Sequence, residues 1–369
     1  MKDTFDKVKM DESRKDNIRR SLTNSKAKTE HLGIKIAAAA AVLCIAAPLA
    51  VNAATGGELI DRLWGNSGKT NTTEHTITYI DEGKVDENGN DISYPITLPA
   101  VEYVDVDPDT ADRLISGRIT TEPVTCTVGD VTFTIESVVR DGMGVVVAYT
   151  IEQEGGVDFL EYDQLSNEGK GAWQRDDHNI EYEFMECGGK TWVDLERSTP
   201  DKLYCCEYMC QNSEVHASGS YIGNHITFVA RELTMTRHEM WDAMDNGITS
   251  GFIQDEQRIT IPVADKLDTR SLTSNVGDTI KISPIALKWD TSRTFTFDNG
   301  IPMAPTDWLN SITITYSDGT EYTVFDDSHE NCQYRCGIYS GGEIILFNRL
   351  VDIDNVAKIT INDVEFTVS

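Results

Sequence analysis

Residues 131–151 read VTFTIESVVRDGMGVVVAYTI and carry the clearest structural pattern in the chain. Apolar and polar side chains alternate through 131–135, which is the period of a strand with one buried face. Residues 141–144, DGMG, are turn formers, and residues 145–151 are an almost continuous apolar and β-branched run. The stretch therefore predicts an antiparallel hairpin inside a β-rich fold.

Short apolar runs recur on both sides of this hairpin and are separated by turn residues. Residues 76–80 and 92–98 flank a turn at Asn88-Gly89 and predict an upstream hairpin. Residues 99–112 hold two prolines and several acids, which indicates an extended connector. Further strands are predicted at 192–195, 204–209, 224–232, 258–263, 279–282, 285–289, 294–297, 311–316, 322–325, 343–347, 358–361 and 364–368, and one helix at 237–244.

Strands of this length and spacing are typical of β-sandwiches, so we expect a mainly β fold with two immunoglobulin-like sandwiches. Two matching phrases support a division of the chain near residue 265. Val128-Gly129-Asp130 and Val276-Gly277-Asp278 each place a turn before a strand. We assign the first sandwich to residues 118–265 and the second to residues 266–369.

The charge of the chain is strongly negative but unevenly distributed. The 369 residues include 61 Asp and Glu against 32 Lys and Arg, a formal net charge of −29. Nucleic-acid binding needs clustered basic residues that displace counterions, so nucleic acid is not an expected partner. Residues 1–35 carry a net charge of +4 and the remainder carries −33. This reversal predicts different compartments for the two parts.

The charge changes sign at an apolar segment. Residues 36–51 contain no charged side chain, and the wider stretch 32–54 contains one, Lys35. Because about 20 residues cross a hydrocarbon core, we expect residues 32–54 to form one transmembrane helix of a cell-membrane protein. The positive-inside rule places residues 1–31 in the cytoplasm and the C-terminal domains outside, with 55–117 forming a juxtamembrane helix, a linker and the upstream hairpin. A cleaved signal peptide and a buried Ala-rich helix are the alternatives.

The basic segment before the predicted span has a helical pattern. Residues 4–22 contain no Gly or Pro, and the helix formers dominate. Four apolar side chains recur at helical spacing: Phe5, Val8, Ile18 and Leu22. A helix this short is marginal alone in water and gains stability by docking. We therefore predict that this stripe contacts a cytoplasmic partner, and a solvated leader that only fixes topology is the alternative.

The remaining chemistry-bearing residues do not form a known catalytic motif. Cys44 lies inside the predicted span, and seven other cysteines are candidates for disulfides, with plain buried thiols as the alternative: Cys126, Cys187, Cys205, Cys206, Cys210, Cys332 and Cys336. Their spacing does not match a zinc knuckle, so no metal is predicted. No nucleophile with its base and no nucleotide-binding fingerprint is found, so neither an enzymatic activity nor a cofactor is predicted.

The order of these parts resembles a known family. A basic leader of the form F-D-K-V-K-x-D-E-x-x-K at residues 5–15 precedes one predicted span, a short helix and strand-rich domains. This resembles the single-pass anti-sigma factors that accompany extracytoplasmic-function sigma factors in Gram-positive bacteria. The resemblance is strongest to a family whose ectodomain is a domain of unknown function, followed by a C-terminal immunoglobulin-like module. The C-terminal phrases that carry it are residues 282–284, 316–320 and 347–354.

The resemblance implies a mechanism. The leader would hold a sigma factor inactive at the membrane through the stripe at positions 5, 8, 18 and 22. An envelope signal sensed by the ectodomain would lead to cleavage near residues 52–75 by an intramembrane or site-1 protease. The chain departs from the better-understood anti-sigma factors in one respect: it lacks the His-x₃-Cys-x₂-Cys zinc motif before the span, so the zinc-binding anti-sigma fold is not expected. The alternative is a surface-anchored or secreted binding or structural protein with no transcriptional role.

Overall fold

A computed structural model describes the greater part of the chain after position 107. The described residues are 63, 75–85, 91–98, 108–162, 170–185, 188–194, 197–210, 224–275, 277–289, 309–326, 331–332, 334–338 and 344–368. The predicted span at residues 32–54 and the predicted partner-binding stripe lie outside them. Within the described part of the chain, no helix has both the length and the apolar character needed to cross a membrane.

The described residues form a mainly β fold with two helices. The strands are β1 (His75–Val85), β2 (Asp91–Leu98), β3 (Ile119–Thr120), β4 (Val124–Val128), β5 (Val131–Arg140), β6 (Gly144–Gln153), β7 (Leu160–Tyr162), β8 (Lys170–Gln174), β9 (Ile180–Phe184), β10 (Gly188–Val193), β11 (Lys202–Cys210), β12 (His225–Leu233), β13 (Ile253–Pro262), β14 (Arg270–Ser274), β15 (Thr279–Ile282), β16 (Ala286–Trp289), β17 (Ser311–Tyr316), β18 (Glu321–Asp326), β19 (Asn331–Cys332), β20 (Tyr334–Ile338), β21 (Ile344–Phe347), β22 (Val356–Ile361) and β23 (Val364–Val368). The helices are α1 (Pro108–Ile115) and α2 (Arg237–Asp245).

These strands pair into three large sheets, apart from the separate hairpin β1–β2. Sheet I has the order β3-β5-β6-β11-β10-β8-β7, and β4 also pairs with β5. Sheet II is β13-β12-β9. Sheet III has the order β19-β18-β17-β22-β23-β14-β15-β16-β21-β20. An antiparallel sheet can be buried on one face or on both, depending on which other layers pack against it. The packing of these sheets therefore decides where the hydrophobic cores lie.

Sheet I is covered on both faces. Its central strand β6 is buried at eight successive positions, from Gly144 to Ile151. Side chains of a strand alternate between the two faces, so a continuous buried run requires a layer on each side. Sheet II covers one face and sheet III the other, and we name the two resulting hydrophobic clusters core A and core B.

Core A lies between sheets I and II and is rich in aromatic rings. Phe228 of β12 has its ring centroid 5.3 Å from that of Phe133 in β5 and 5.0 Å from that of Phe184 in β9. The ring of Tyr182 lies 6.0 Å from that of Phe228. Tilted and edge-on rings at these distances add to the stability that burial of their area provides.

Core B lies between sheets I and III and draws on residues from both sides of position 265. Leu346 of β21 contacts β6, and the thiol of Cys210 in β11 points at the carbonyl of Ile344 at 3.9 Å. Apolar side chains of β18 and β21, the strands next to the two ends of sheet III, belong to this one cluster. The division into two domains at residue 265 stays a prediction. Core B contains residues from before and after this position.

At Gly144, sheets I and III approach each other closely. A Cβ added there would lie 2.7 Å from Cδ1 of Leu346, which is itself fully buried. The Gly144→Ala substitution is therefore expected to lower the free energy of unfolding by about 1–3 kcal/mol, because the core must shift to make room. Chemical denaturation followed by circular dichroism measures this. The Gly144→Ala/Leu346→Ala double variant should lose less stability than the two single losses combined, and strict additivity would contradict the contact.

The main predicted elements are confirmed. The hairpin at residues 131–151 is β5 and β6, the upstream hairpin is β1 and β2, and the helix at 237–244 is α2. Thr236 and Glu239 form a capping box that fixes the start of α2. The predicted strand at 294–297 lies outside the described residues.

A short helix lies where an extended connector is expected. α1 begins at Pro108, whose fixed φ suits the first turn of a helix. Ala111, Leu114 and Ile115 recur at helical spacing and are buried in core B. The prediction for residues 99–112 is therefore wrong from position 108 onward, because this proline begins a helix instead of preventing one.

Candidate functional site

A buried carboxylate joins two turns that are far apart in the sequence. Asp141, between β5 and β6, accepts hydrogen bonds from the backbone N–H groups of Met143 at 2.5 Å and Gly144 at 2.7 Å. Its other oxygen accepts a hydrogen bond from the hydroxyl of Ser283, between β15 and β16. Burial raises the pKa of Asp141, and these hydrogen bonds oppose that rise. The two turns are thereby fixed side by side.

The segment between β13 and β14 is fixed next to the same turn. Nε of Arg140 donates to the carbonyl of Ala264 at 3.0 Å, and the N–H of Leu267 donates to the carbonyl of Arg140 at 2.9 Å. These bonds bring Lys266 beside the turn. Its Nζ lies 3.8 Å from the position that a Cβ on Gly142 would occupy.

A cleft of about 510 Å³ opens where these elements meet. It lies between the turn at 141–143, the segment around Lys266, and strands β15 and β16. We call it the junction cleft. Its lining includes three lysines, two threonines and a buried tryptophan: Lys266, Lys281, Lys288, Thr269, Thr279 and Trp289. A volume of this size suits a small ligand.

Two of these lysines lie directly opposite each other. Lys281 of β15 and Lys288 of β16 are register partners in the antiparallel pair. Like charges in this position destabilise a sheet by up to about 1 kcal/mol. Neither ammonium group has a carboxylate partner among the described residues. Such an arrangement favours a negatively charged group in the cleft.

A second cluster of titratable groups lies between sheets I and II. The carboxylate of Glu207 accepts hydrogen bonds from the hydroxyls of Thr191 at 2.6 Å and Tyr149 at 3.3 Å. The hydroxyl of Tyr149 also lies 3.1 Å from that of Tyr182. Burial raises the pKa of Glu207 to about 7, although the two hydroxyl donors oppose the rise. The cluster satisfies polar groups of core A and does not belong to the junction cleft.

This cluster predicts a pH dependence of stability. The pKa of Glu207 rises from 4.5 to about 7 on folding, so the native state binds an extra proton between these values. The stabilisation is complete below about pH 4.5 and is lost as the pH rises through about 7. The loss is expected to be about 2 kcal/mol, less than the full linkage value because the residue is only partly enclosed. Urea denaturation of the chain from pH 5 to pH 8 measures it.

The matched control for that measurement is Glu207→Gln, which keeps the shape and the acceptor oxygen. The many other acids of the chain also change stability with pH, so the difference between wild type and variant isolates position 207. The difference in the free energy of unfolding between wild type and Glu207→Gln should change between pH 5 and pH 8. A constant difference would contradict the assignment.

The four cysteines whose side chains the structure describes do not converge on one site. Cys126, Cys205, Cys206 and Cys210 are thiols in the structure. Cys205 packs in core A, whereas Cys210 packs in core B and Cys206 packs against it. Burial raises the pKa of Cys126 to about 11, which makes it a poor nucleophile. Cys332 and Cys336 are on β19 and β20, and Cys187 lies outside the described residues.

Two further comparisons with the sequence predictions concern the stripe and metals. Phe5, Val8, Ile18 and Leu22 lie outside the described residues, so the partner-binding stripe stays a prediction. Among the residues that the structure does describe, no group of three His, Cys, Asp or Glu side chains is placed to hold a metal ion.

Sequence reasoning did not single out the junction cleft. A signal was present in KISPIALK at residues 281–288, since a tight turn at its centre places the two terminal lysines opposite each other. No local sequence signal indicates that Lys266 lines the cleft. Its place there depends on the hydrogen bonds between the 264–267 segment and Arg140. These bonds join positions more than a hundred residues apart.

Comparisons with known proteins add little to this site. No family model matches the chain, and no curated protein matches it. A search of solved structures finds the crystal structure of a conserved domain protein from Bacillus anthracis. That chain is 14% identical, with a TM-score of 0.31, and the match covers 65% of the present chain and 75% of the other.

Proposed function

We propose that the chain is a membrane-anchored regulator of the anti-sigma type. Its N-terminal segment binds an extracytoplasmic-function sigma factor, and the part outside the membrane senses an envelope signal. In this proposal residues 32–54 cross the membrane once, and residues 118–265 and 266–369 are immunoglobulin-like sandwiches outside the cell. The sigma factor is released after a protease at or in the membrane cleaves within residues 52–75. No catalytic activity is assigned to the chain itself.

The placement of Leu63 supports a signalling role. Leu63 is fully buried in core B, and its carbonyl accepts a hydrogen bond from the hydroxyl of Tyr208 in β11. It lies nine residues after Ala54, inside the segment where cleavage is expected. Leu63 therefore links the expected cleavage segment to core B. In this proposal a signal that alters core B reaches the cleavage segment through this residue.

The test is made on the full-length chain in its native cell. The Phe5→Asp/Ile18→Asp variant places two charges on the apolar stripe, which desolvation disfavours at an interface. We expect a sigma factor to co-purify with the wild-type chain and not with this variant. Transcription of the genes that depend on that sigma factor should rise to the level of a strain that lacks the chain.

The matched control is Ser13→Asp/Asn17→Asp, which adds the same charge on the opposite face of the predicted helix. This control should keep both the partner and the repression. Equal behaviour of the two variants, or unchanged transcription in the Phe5→Asp/Ile18→Asp strain, would overturn the proposal.

A second candidate function is a surface-anchored or secreted binding protein with no transcriptional role. The observation that favours it is the junction cleft, because a ligand site is equally useful to a protein that only binds. The two candidates differ in the transcriptional response just described, and ligand binding alone does not separate them.

A further inference from the structure

We propose that the junction cleft binds a phosphate-bearing ligand with two or more neighbouring negative charges. The ligand would lie against Lys266, Lys281 and Lys288, with its charged groups facing the three ammonium groups. Binding itself is independent of the role of the N-terminal segment. The further claim that this ligand is the envelope signal rests on the proposed function.

The local charge of the cleft opposes that of the chain. The chain carries a net −29, yet the residues that line the cleft include three lysines and one acid, Asp141. Asp141 is 1% exposed and its oxygens already accept three hydrogen bonds, so it offers no acceptor that would repel a ligand at close range. The nearby Asp268 pairs with Arg118 at 2.7 Å. The lining of the cleft therefore carries a net positive charge on an acidic molecule.

The opposed lysines supply the second part of the argument. Lys281 and Lys288 are register partners, so their Cβ atoms are about 5 Å apart. Lys281 is exposed, whereas Lys288 is half-buried. Holding two cations together in this way is unfavourable in the empty protein, and an anion between them removes the repulsion. One negative charge leaves a net positive cleft, so a ligand with at least two charges fits better.

The number and geometry of the cations suit phosphate. Each lysine ammonium is a compact point charge, so three of them can face several oxygens of a tetrahedral group from different directions. Thr269 and Thr279 line the same cleft, and their hydroxyls are available as neutral donors. Both threonines are exposed, so they reach the ligand without a rearrangement of the core.

The structure around the cleft is rigid enough to preserve this arrangement. Asp141 and Ser283 tie the two turns together, and the backbone bond from Leu267 to Arg140 fixes the backbone next to Lys266. Trp289, 2% exposed, and Leu267, 3% exposed, form an apolar floor. Pre-formed sites of this kind bind with little loss of conformational freedom.

The experiment uses the purified full-length chain and titration calorimetry with inorganic pyrophosphate and, separately, long-chain inorganic polyphosphate. We expect saturable binding that weakens as the salt concentration rises. In the Lys281→Gln/Lys288→Gln variant the dissociation constant should rise about tenfold or more, because two charge-assisted contacts are lost. The Lys281→Arg/Lys288→Arg variant, which keeps both charges, should retain binding within about threefold of wild type.

The matched control is Lys202→Gln/Lys358→Gln, which removes the same charge far from the cleft at lysines paired with Glu152 and Glu365. It should bind like the wild type. Loss of affinity equal to that of the cleft variant would mean that only net charge matters and would overturn the proposal. Failure of both probes to bind the wild type at about 10 mM would also overturn it.

The two probes separate the source of the phosphate. If the protein binds pyrophosphate as tightly as it binds polyphosphate, with the polymer counted per binding position, the cleft is assigned to a small phosphorylated molecule. Binding by polyphosphate alone, lost in the Lys281→Gln/Lys288→Gln variant, assigns it to a phosphate polymer. The binding assay has no transcriptional readout. A failure to bind phosphate therefore does not affect the sigma-factor experiment, and a failure of the sigma-factor experiment does not affect the binding result.

Discussion

Replacing Asp141 with alanine is expected to lower the free energy of unfolding by about 3–5 kcal/mol. The substitution leaves two buried backbone N–H groups, those of Met143 and Gly144, and the hydroxyl of Ser283 without their acceptor. A buried donor that loses its partner costs about 1–3 kcal/mol. The midpoint of chemical denaturation, followed by circular dichroism at constant pH, measures the loss.

The matched control is Asp141→Asn, which keeps one oxygen for the two backbone donors. Asp141→Asn should lower the free energy of unfolding clearly less than Asp141→Ala does. The Asp141→Ala and Ser283→Ala substitutions, although 142 positions apart, should also show a coupling energy of about 0.5–3 kcal/mol in a double-mutant cycle. Additive losses would mean that the two turns do not support each other.

The second large effect is expected in core A. Phe228 is fully buried and contacts the rings of Phe133, Tyr182 and Phe184. Phe228→Ala should lower the free energy of unfolding by about 3–5 kcal/mol, because it removes apolar contacts and leaves a cavity. Urea denaturation followed by circular dichroism measures the loss.

The milder Phe228→Leu change should cost less, since it fills part of the cavity. A comparison with Leu346→Ala in core B tests how the two cores are connected. Because β6 contributes to both cores, each substitution should shift a single unfolding transition. Two separate transitions, each sensitive to one of the substitutions, would show that the cores unfold independently.

The strand pattern was predictable for several strands that bury one face and expose the other. The strands predicted at 279–282, 311–316 and 364–368 match β15, β17 and β23 in both bounds. The strands β7 to β9, within residues 160–184, were not predicted. The runs LEY of β7 and KGAWQ of β8 contain too few alternating apolar positions for a pattern to be detected, whereas IEYEF of β9 alternates fully and could have been predicted.

The junction cleft was not predictable in the same way. Its lysines come from a linker and two strands, and nothing in a local window indicates that they meet. The contact depends on Asp141 and Ser283, two small polar residues that read locally as ordinary turn formers. Hydrogen bonds across long sequence separations carry no periodic signal, so the fold class was accessible from the sequence and the site was not.

The coverage of sheet I by sheet III has a consequence for the nascent chain. All strands of sheet I have been synthesised once Cys210 has left the ribosome, whereas the strands that cover its second face continue to Val368. At 5–20 residues per second the ribosome needs roughly 10–30 s more to complete them. Throughout that interval the apolar face of sheet I that belongs to core B, which includes Val146, Trp192 and Tyr208, has no permanent cover. Until the last strands arrive, this exposed apolar face makes the incomplete chain prone to aggregation.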